Sequence, residues 1–241
     1  MNYRSFIARL ACMGTLFCSL VGGGLAAPAK TPSPEEIMRL VRMSQALQHH
    51  DVLGTIRNQK TGKSERFMLS MRENLIRFRF DNPTQVINLD LKENGAKLRE
   101  VLGGKETEVT AKRGAESVRG FDMNFDDLSM RFLYWANPQF VSEDTIKTLK
   151  AWRMRVYNPD RNGHYRIVEV WVHEDSGAML RMQAYDEQGR VIKRYEVVSG
   201  QKTEDDLWML KEMRIETLEP GTNKAVGRTS LEIDKAQKGS N

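Results

Sequence analysis

The chain has 241 residues, of which 40% are apolar, 29% charged and 8% aromatic, a composition that excludes collagen-like, low-complexity and wholly disordered proteins. Basic residues exceed acidic ones by 37 to 32, and the two signs alternate, as in Lys63-Ser64-Glu65-Arg66. That pattern belongs to solvated mixed-charge faces rather than to a phosphate-binding groove, so nucleic acid is not an expected partner.

The first 26 residues have the layout of a secretory signal peptide: basic Arg4 and Arg9, an apolar run from Leu10 to Val21, then Gly22-Gly23-Gly24-Leu25-Ala26. Cleavage is expected after Ala26, since cleavage one residue later would place Pro28 first. The apolar run is shorter than the ~20 residues of a membrane-spanning helix, which disfavours an uncleaved anchor. Cys12 and Cys18 both lie in this segment, and bulky Phe17 opposes lipid attachment at Cys18. The exported chain is then cysteine-free, with no disulfide, thiol nucleophile or cysteine-held metal.

Ser33-Pro34-Glu35-Glu36 reads as a helix start, with Ser33 as N-cap, Pro34 in the first turn and Glu36 closing a capping box. The helix is expected to run to about Gln48, with Ile37, Leu40, Val41, Ser44 and Leu47 on one face and Arg39 and Arg42 off it. From Asp51 the apolar period shortens to two, punctuated by Lys60-Thr61-Gly62, Asn82-Pro83, Glu93-Asn94-Gly95 and Gly103-Gly104. Five strands are expected here: 52–59, 64–72, 75–80, 85–91 and 97–102. In Ile76-Arg77-Phe78-Arg79-Phe80 the apolar side chains take one face and the arginines the other.

The stretch from Asp126 to Trp135 changes to helical spacing behind an acidic opening, and Asn137-Pro138 ends it. Six further strands are expected at 150–157, 165–173, 178–185, 191–198, 207–218 and 226–233, with Asp160-Arg161-Asn162-Gly163, Asp175-Ser176-Gly177 and Glu187-Gln188-Gly189 as hairpin turns. Eleven antiparallel strands cannot stay flat and coil toward a barrel, whose apolar face takes up the helices. Residues 27–234 are expected to form a single domain and 235–241 a frayed polar tail.

Catalytic chemistry finds little support. His49 and His50 are adjacent at a helix-to-strand boundary, and His164 and His173 are nine positions apart on one expected strand, hence on opposite faces. Asp126-Asp127 opens a helix and Glu204-Asp205-Asp206 sits in a loop, both ordinary structural uses of carboxylates. No nucleophile elbow, phosphate loop, zinc-helix motif or calcium loop occurs, so a non-enzymatic protein without cofactor or metal is expected. Eleven methionines beyond residue 26, with Trp135, Trp152, Trp171 and Trp208, suit either plain core or a cavity that adapts to variable lipid chains.

An ordered series of segments carries a family resemblance: Phe125-Asp126-Asp127-Leu128-Ser129-Met130-Arg131-Phe132-Leu133-Tyr134-Trp135, then Val168-Glu169-Val170-Trp171-Val172, then residues 180–193 from Leu180-Arg181-Met182 to Val191-Ile192-Lys193. Leu207-Trp208, Met213-Arg214-Ile215 and Thr229-Ser230-Leu231-Glu232-Ile233 continue it. In this order they resemble the LolA-like superfamily, in its bacterial outer-membrane lipoprotein-sorting branch, over residues 124–234. The first half fits more loosely, through its helix and the Arg77-Phe78-Arg79-Phe80 strand. The resemblance implies a mainly β, eleven-stranded half-barrel with a helical lid over an apolar cavity, and a lid arginine for which Arg39 and Arg42 are the candidates. Members carry lipoprotein acyl chains through the periplasm, or sense a lipidated or membrane partner. The expected cavity and lid residues are Leu40, Val41, Leu47, Phe78, Phe80, Leu133, Trp135, Trp152, Met154, Trp171 and Met182. The expected partner is a lipidated protein or lipid-like ligand, with an envelope membrane protein as a further partner, bound by a monomer. The alternative on the same fold is an envelope sensor or adaptor for a protein partner.

Overall fold

A computed structural model describes residues 31–46, 51–92, 95–160, 163–202 and 208–234. The expected signal peptide, Leu47, His49, His50, the Glu204-Asp205-Asp206 loop and the polar tail lie outside the described residues. From Pro32 onward the chain is one compact unit.

Helix α1 spans Pro34–Ala46, and its capping box forms as the residue types dictate. The Ser33 backbone N–H donates to Glu36 Oε2 at 2.7 Å, and the Glu36 N–H donates back to Ser33 Oγ at 3.3 Å. The strands are β1 (Asp51–Asn58), β2 (Ser64–Arg72), β3 (Leu75–Asp81), β4 (Thr84–Lys92), β5 (Gly95–Leu102), β6 (Lys105–Glu108), β7 (Gln139–Ile146), β8 (Leu149–Tyr157), β9 (Ile167–His173), β10 (Met179–Tyr185), β11 (Val191–Lys202), β12 (Trp208–Leu218) and β13 (Ala225–Ile233). They form one antiparallel sheet in the order β6-β5-β4-β3-β2-β1-β13-β12-β11-β10-β9-β8-β7.

Among the described residues thirteen strands replace the expected eleven, and the two additional ones, β6 and β7, are the two edges of the sheet. An edge strand with little buried surface carries little alternation. β6 reads Lys-Glu-Thr-Glu with no apolar residue, and β7 is mostly exposed, buries Ile146 and is bulged between Phe140 and Ser142. In the interior strands the alternation is plain. Ile76, Phe78 and Phe80 of β3 are buried while Arg77 and Arg79 are exposed. Gly54 of β1 lies under the Phe67 ring, where a Cβ would come within 2.4 Å of the ring edge.

The inward residues of both halves of the sheet, from Ile56, Phe67 and Ile87 to Met154, Val170, Met182 and Ile215, join one apolar cluster with α1 and the 109–138 connection. The sheet therefore wraps around that connection, which runs from one open edge to the other. The expected helix at 126–135 is broken there. α2 spans Phe125–Ser129, Met130 takes a left-handed conformation at φ 47°, and a 3-10 turn follows over Arg131–Tyr134.

The convex face is charged. Glu169 is fully buried between Arg153 and Arg155, whose Nη2 atoms reach it at 2.6 and 2.5 Å, and it accepts from the Tyr185 hydroxyl at 2.6 Å. Burial opposes its ionisation, yet these donors outweigh burial and pull its pKa down.

Candidate functional site

The apolar concave face has two covers, and the residues beneath them differ in kind. α1 presents Ile37, Met38 and Val41, all buried, with Leu40 packed beside them. Its Arg42 donates from Nη1 to the Leu133 carbonyl at 2.7 Å, and the guanidinium lies 5.4 Å from the centre of the Tyr134 ring. Arg39, the other candidate, is exposed. Burial lowers the Arg42 pKa and raises that of Tyr134.

At the other side of the helix, Ser44 Oγ donates to the Gly177 carbonyl at 3.1 Å. Gly177 has φ +69°, and a Cβ there would lie 3.0 Å from the Leu40 carbonyl. The glycine of the β9–β10 turn thus does two things, closing a left-handed turn and letting the helix backbone approach. Its turn role was legible in the sequence, but the approach of α1 was not.

The 109–138 connection is held by polar groups placed inside. Asn124 caps α2 by accepting from the Asp127 N–H at 2.8 Å, and Asp127 Oδ2 accepts from the Asn124 N–H at 2.7 Å. Asp127 also accepts from the buried Tyr165 hydroxyl at 2.5 Å and lies 3.5 Å from Lys193 Nζ. Lys193 in turn donates to the Asp122 carbonyl and to Thr217, while Asp122 Oδ2 accepts from Thr229 at 2.9 Å and Asn58 at 3.2 Å. Burial drives the Tyr165 pKa well up and, with Lys193 nearby, that of His164 down. One buried polar network therefore pins the connection to β1, β11, β12 and β13. Lys193 was missed in the sequence, although it shares the inward parity of Tyr195 and so announced a buried cation.

Asp126 has a different environment. Its backbone N–H bonds to the Gly114 carbonyl at 2.9 Å and its carboxyl packs against the Gly114 Cα. Burial, reinforced by Asp127 and opposed by Arg131, raises its pKa to about 6. It lines a pocket of about 160 Å³ with Ser129, Arg131, Phe132, Trp135 and Tyr165. That volume is below the roughly 300–1,000 Å³ of ligand sites.

The structure brings most of the expected cavity residues together. Val41, Phe78, Phe80, Leu133, Trp152, Met154 and Met182 are buried in the main cluster, with Leu40 and Trp135 packed on it. Trp171 is the exception. It stands on the convex face with Ile146, Ala151 and Leu180, between the guanidinium groups of Arg153 and Arg181, its Nε1 donating to Asp144 at 2.8 Å. Glu169, two residues earlier, was the signal, because it shares Trp171's face while Val170 and Val172 point inward. His164 precedes β9 instead of lying on it, and His173 bonds Ser176 at 2.8 Å. Among the described residues no group of three metal-ligating side chains comes together, and no helix is long and apolar enough to cross a membrane.

These features define an open antiparallel half-barrel with a helical cover over an apolar concave face. Residues 104–240 match the model of a protein family described as an uncharacterized protein, and the chain belongs to that family. No curated protein matches the sequence. Among solved structures, a Vibrio parahaemolyticus domain assigned as an outer membrane lipoprotein-sorting protein is similar, with a TM-score of 0.66 at 14% identity over 87% of this chain and 95% of that one. A DUF1329 family protein from Desulfovibrio piger scores 0.64 at 14% identity over 88% and 96%. A LolA superfamily protein from Nitrosomonas europaea scores 0.61 at 12% over 86% and 95%. The chain has the LolA-superfamily fold, as the resemblance implied.

Proposed function

We propose that the protein is a non-enzymatic periplasmic carrier that shelters acyl chains of a lipidated protein, or a similar apolar ligand, on its concave face, acting as a monomer after cleavage behind Ala26. The observation that carries this reading is the difference between the two covers. The connection is pinned by a buried polar network, whereas α1 contributes three buried apolar side chains, Ile37, Met38 and Val41, of a kind that an acyl chain can replace. Lid and ligand then compete for one surface.

Magnitudes favour such an exchange. Exposing three apolar side chains costs about 1.5–3 kcal/mol each, and burying acyl chain returns about 0.8 kcal/mol per methylene. Chains of roughly six to eleven methylenes therefore match these three side chains, and longer ones outweigh them. Titration with fluorescent fatty acids of increasing length tests this, together with native mass spectrometry of protein taken from the periplasm. Saturable binding that sets in with chain length supports the carrier, while absence of bound lipid and of saturable probe binding rejects it.

A second reading, an envelope adaptor that binds a protein partner, is favoured by the packed interior, where Phe121, Met123, Phe125, Leu128 and Phe132 occupy the space a ligand would take. A stoichiometric envelope partner that is retained when the concave face is blocked would support it over the carrier.

A further inference from the structure

We propose that the convex face of β1–β5 seats the protein on an anionic lipid bilayer surface. The residues that alternate outward on these five strands include Arg57, Arg66, Arg72, Arg77, Arg79, Lys92, Lys97 and Arg99, against Asp51, Asp81 and Asp90. Eight cations to three acids on these five strands concentrate positive charge in a chain whose overall excess is slight, with Glu106 and Glu108 of β6 at one edge of the field and Glu232 and Asp234 at the other.

A row of four apolar residues, interrupted by Arg79, crosses this field. Leu53, Met68, Arg79, Val86 and Val101 are direct neighbours in register on β1 to β5, a row spanning about 19 Å at the usual strand spacing. Leu53 is 48% exposed and Met68 41%, although both are large and apolar. On one side the next row holds Ser70, Arg77, Asn88 and Arg99, again in register; on the other stands Arg66.

The arginines are free to exchange partners. Arg77 donates to the neutral amide of Asn88 at 3.0 Å, which leaves its charge uncompensated by that bond. Arg79 meets Asp81 at 3.0 Å, Arg66 meets Asp234 at 2.8 Å and Arg99 meets Glu106 at 3.1 Å, all between exposed side chains. Exposed pairs of this kind are weak, so lipid phosphates can replace the carboxylates at little cost. Long arginine stems lie along apolar surface with their heads in the polar layer, and Leu53 and Met68 supply the part that enters between headgroups. A row of apolar residues flanked along its length by Arg66, Arg77 and Arg99, with Asp234 and Glu106 at its ends, suits an interface where phosphates overlie acyl chains. This surface faces away from the concave side, so the inference stands apart from the carrier reading.

Sedimentation of the purified chain with vesicles tests it, using phosphatidylcholine alone and phosphatidylcholine with one third phosphatidylglycerol. The expected result is binding to the anionic vesicles that falls steeply with salt. The double variants Arg77→Gln/Arg79→Gln and Leu53→Ser/Met68→Ser should each weaken it about tenfold or more, with circular dichroism and melting confirming that both remain folded. Arg181→Gln, on the convex face of the other half, should leave it unchanged. Binding that is equal on neutral vesicles, or that survives both double variants, overturns the proposal, as does a face that captures a protein partner and no vesicles.

Discussion

The guanidinium of Arg42 reaches 2.7 Å from the carbonyl of Leu133, a residue 91 positions further along the chain. It couples the helix that covers the concave face to the connection that fills it, so the strength of this bond sets part of the cost of lifting α1. A charged donor on a half-buried carbonyl is worth about 1.5–3 kcal/mol when intact. Arg42→Met, which keeps an apolar stem over Tyr134, is expected to lower stability by about 1–2 kcal/mol. It should also raise the affinity for an apolar fluorescent probe roughly tenfold, because the closed state alone loses the bond. Chemical denaturation and probe titration on the same sample check both halves.

Gly177→Ala tests the seat of α1 from below. An alanine at φ +69° is strained by about 1–2 kcal/mol, and its Cβ would press on the Leu40 backbone at 3.0 Å. The expected outcome is a stability loss of that size with faster hydrogen exchange in residues 37–44, read by mass spectrometry. A loss without any change in α1 exchange would show that the turn, and not the helix contact, demands the glycine.

Asp126 gives a pH dependence whose sign follows from burial. Its pKa is raised from 3.8 to about 6 in the folded protein, so the native state holds this proton more tightly than the unfolded chain. The carboxylate's penalty is fully present above about pH 6 and is relieved as pH falls from there toward 4. Asp126→Asn should therefore stabilise the protein by about 1–2 kcal/mol at pH 7.5 and make no difference near pH 4. Thermal melts across that range decide it, and an equal effect at both pH values would refute it.

Lys193→Met removes the cation that faces Asp127 and supports the Asp122 carbonyl. Leaving a buried carboxylate without its partner costs about 3–5 kcal/mol. Urea denaturation should show a loss of this order, and a much smaller loss would mean that Tyr165 and Asn124 satisfy Asp127 by themselves.

What the sequence by itself determined was whatever a few neighbouring residues decide. Ser33, Pro34 and Glu36 specify the start of α1 through bonds that span three residues, and alternation in β3 assigns Phe78 and Phe80 to the core and the arginines to solvent. Tertiary structure decided the rest. β6 and β7 are strands because neighbours pair with them, and with so little buried surface to impose alternation they left no period to read. Trp171 was expected in the cavity although Glu169, two residues earlier, marked its face as the outward one, and the partners that receive it there, Arg153 and Arg181, come only from strand pairing. The approach of Gly177 to Leu40 and the meeting of Lys193 with Asp127 each join segments far apart in the chain. Such contacts depend on how the sheet coils, and coiling is a property of all thirteen strands together.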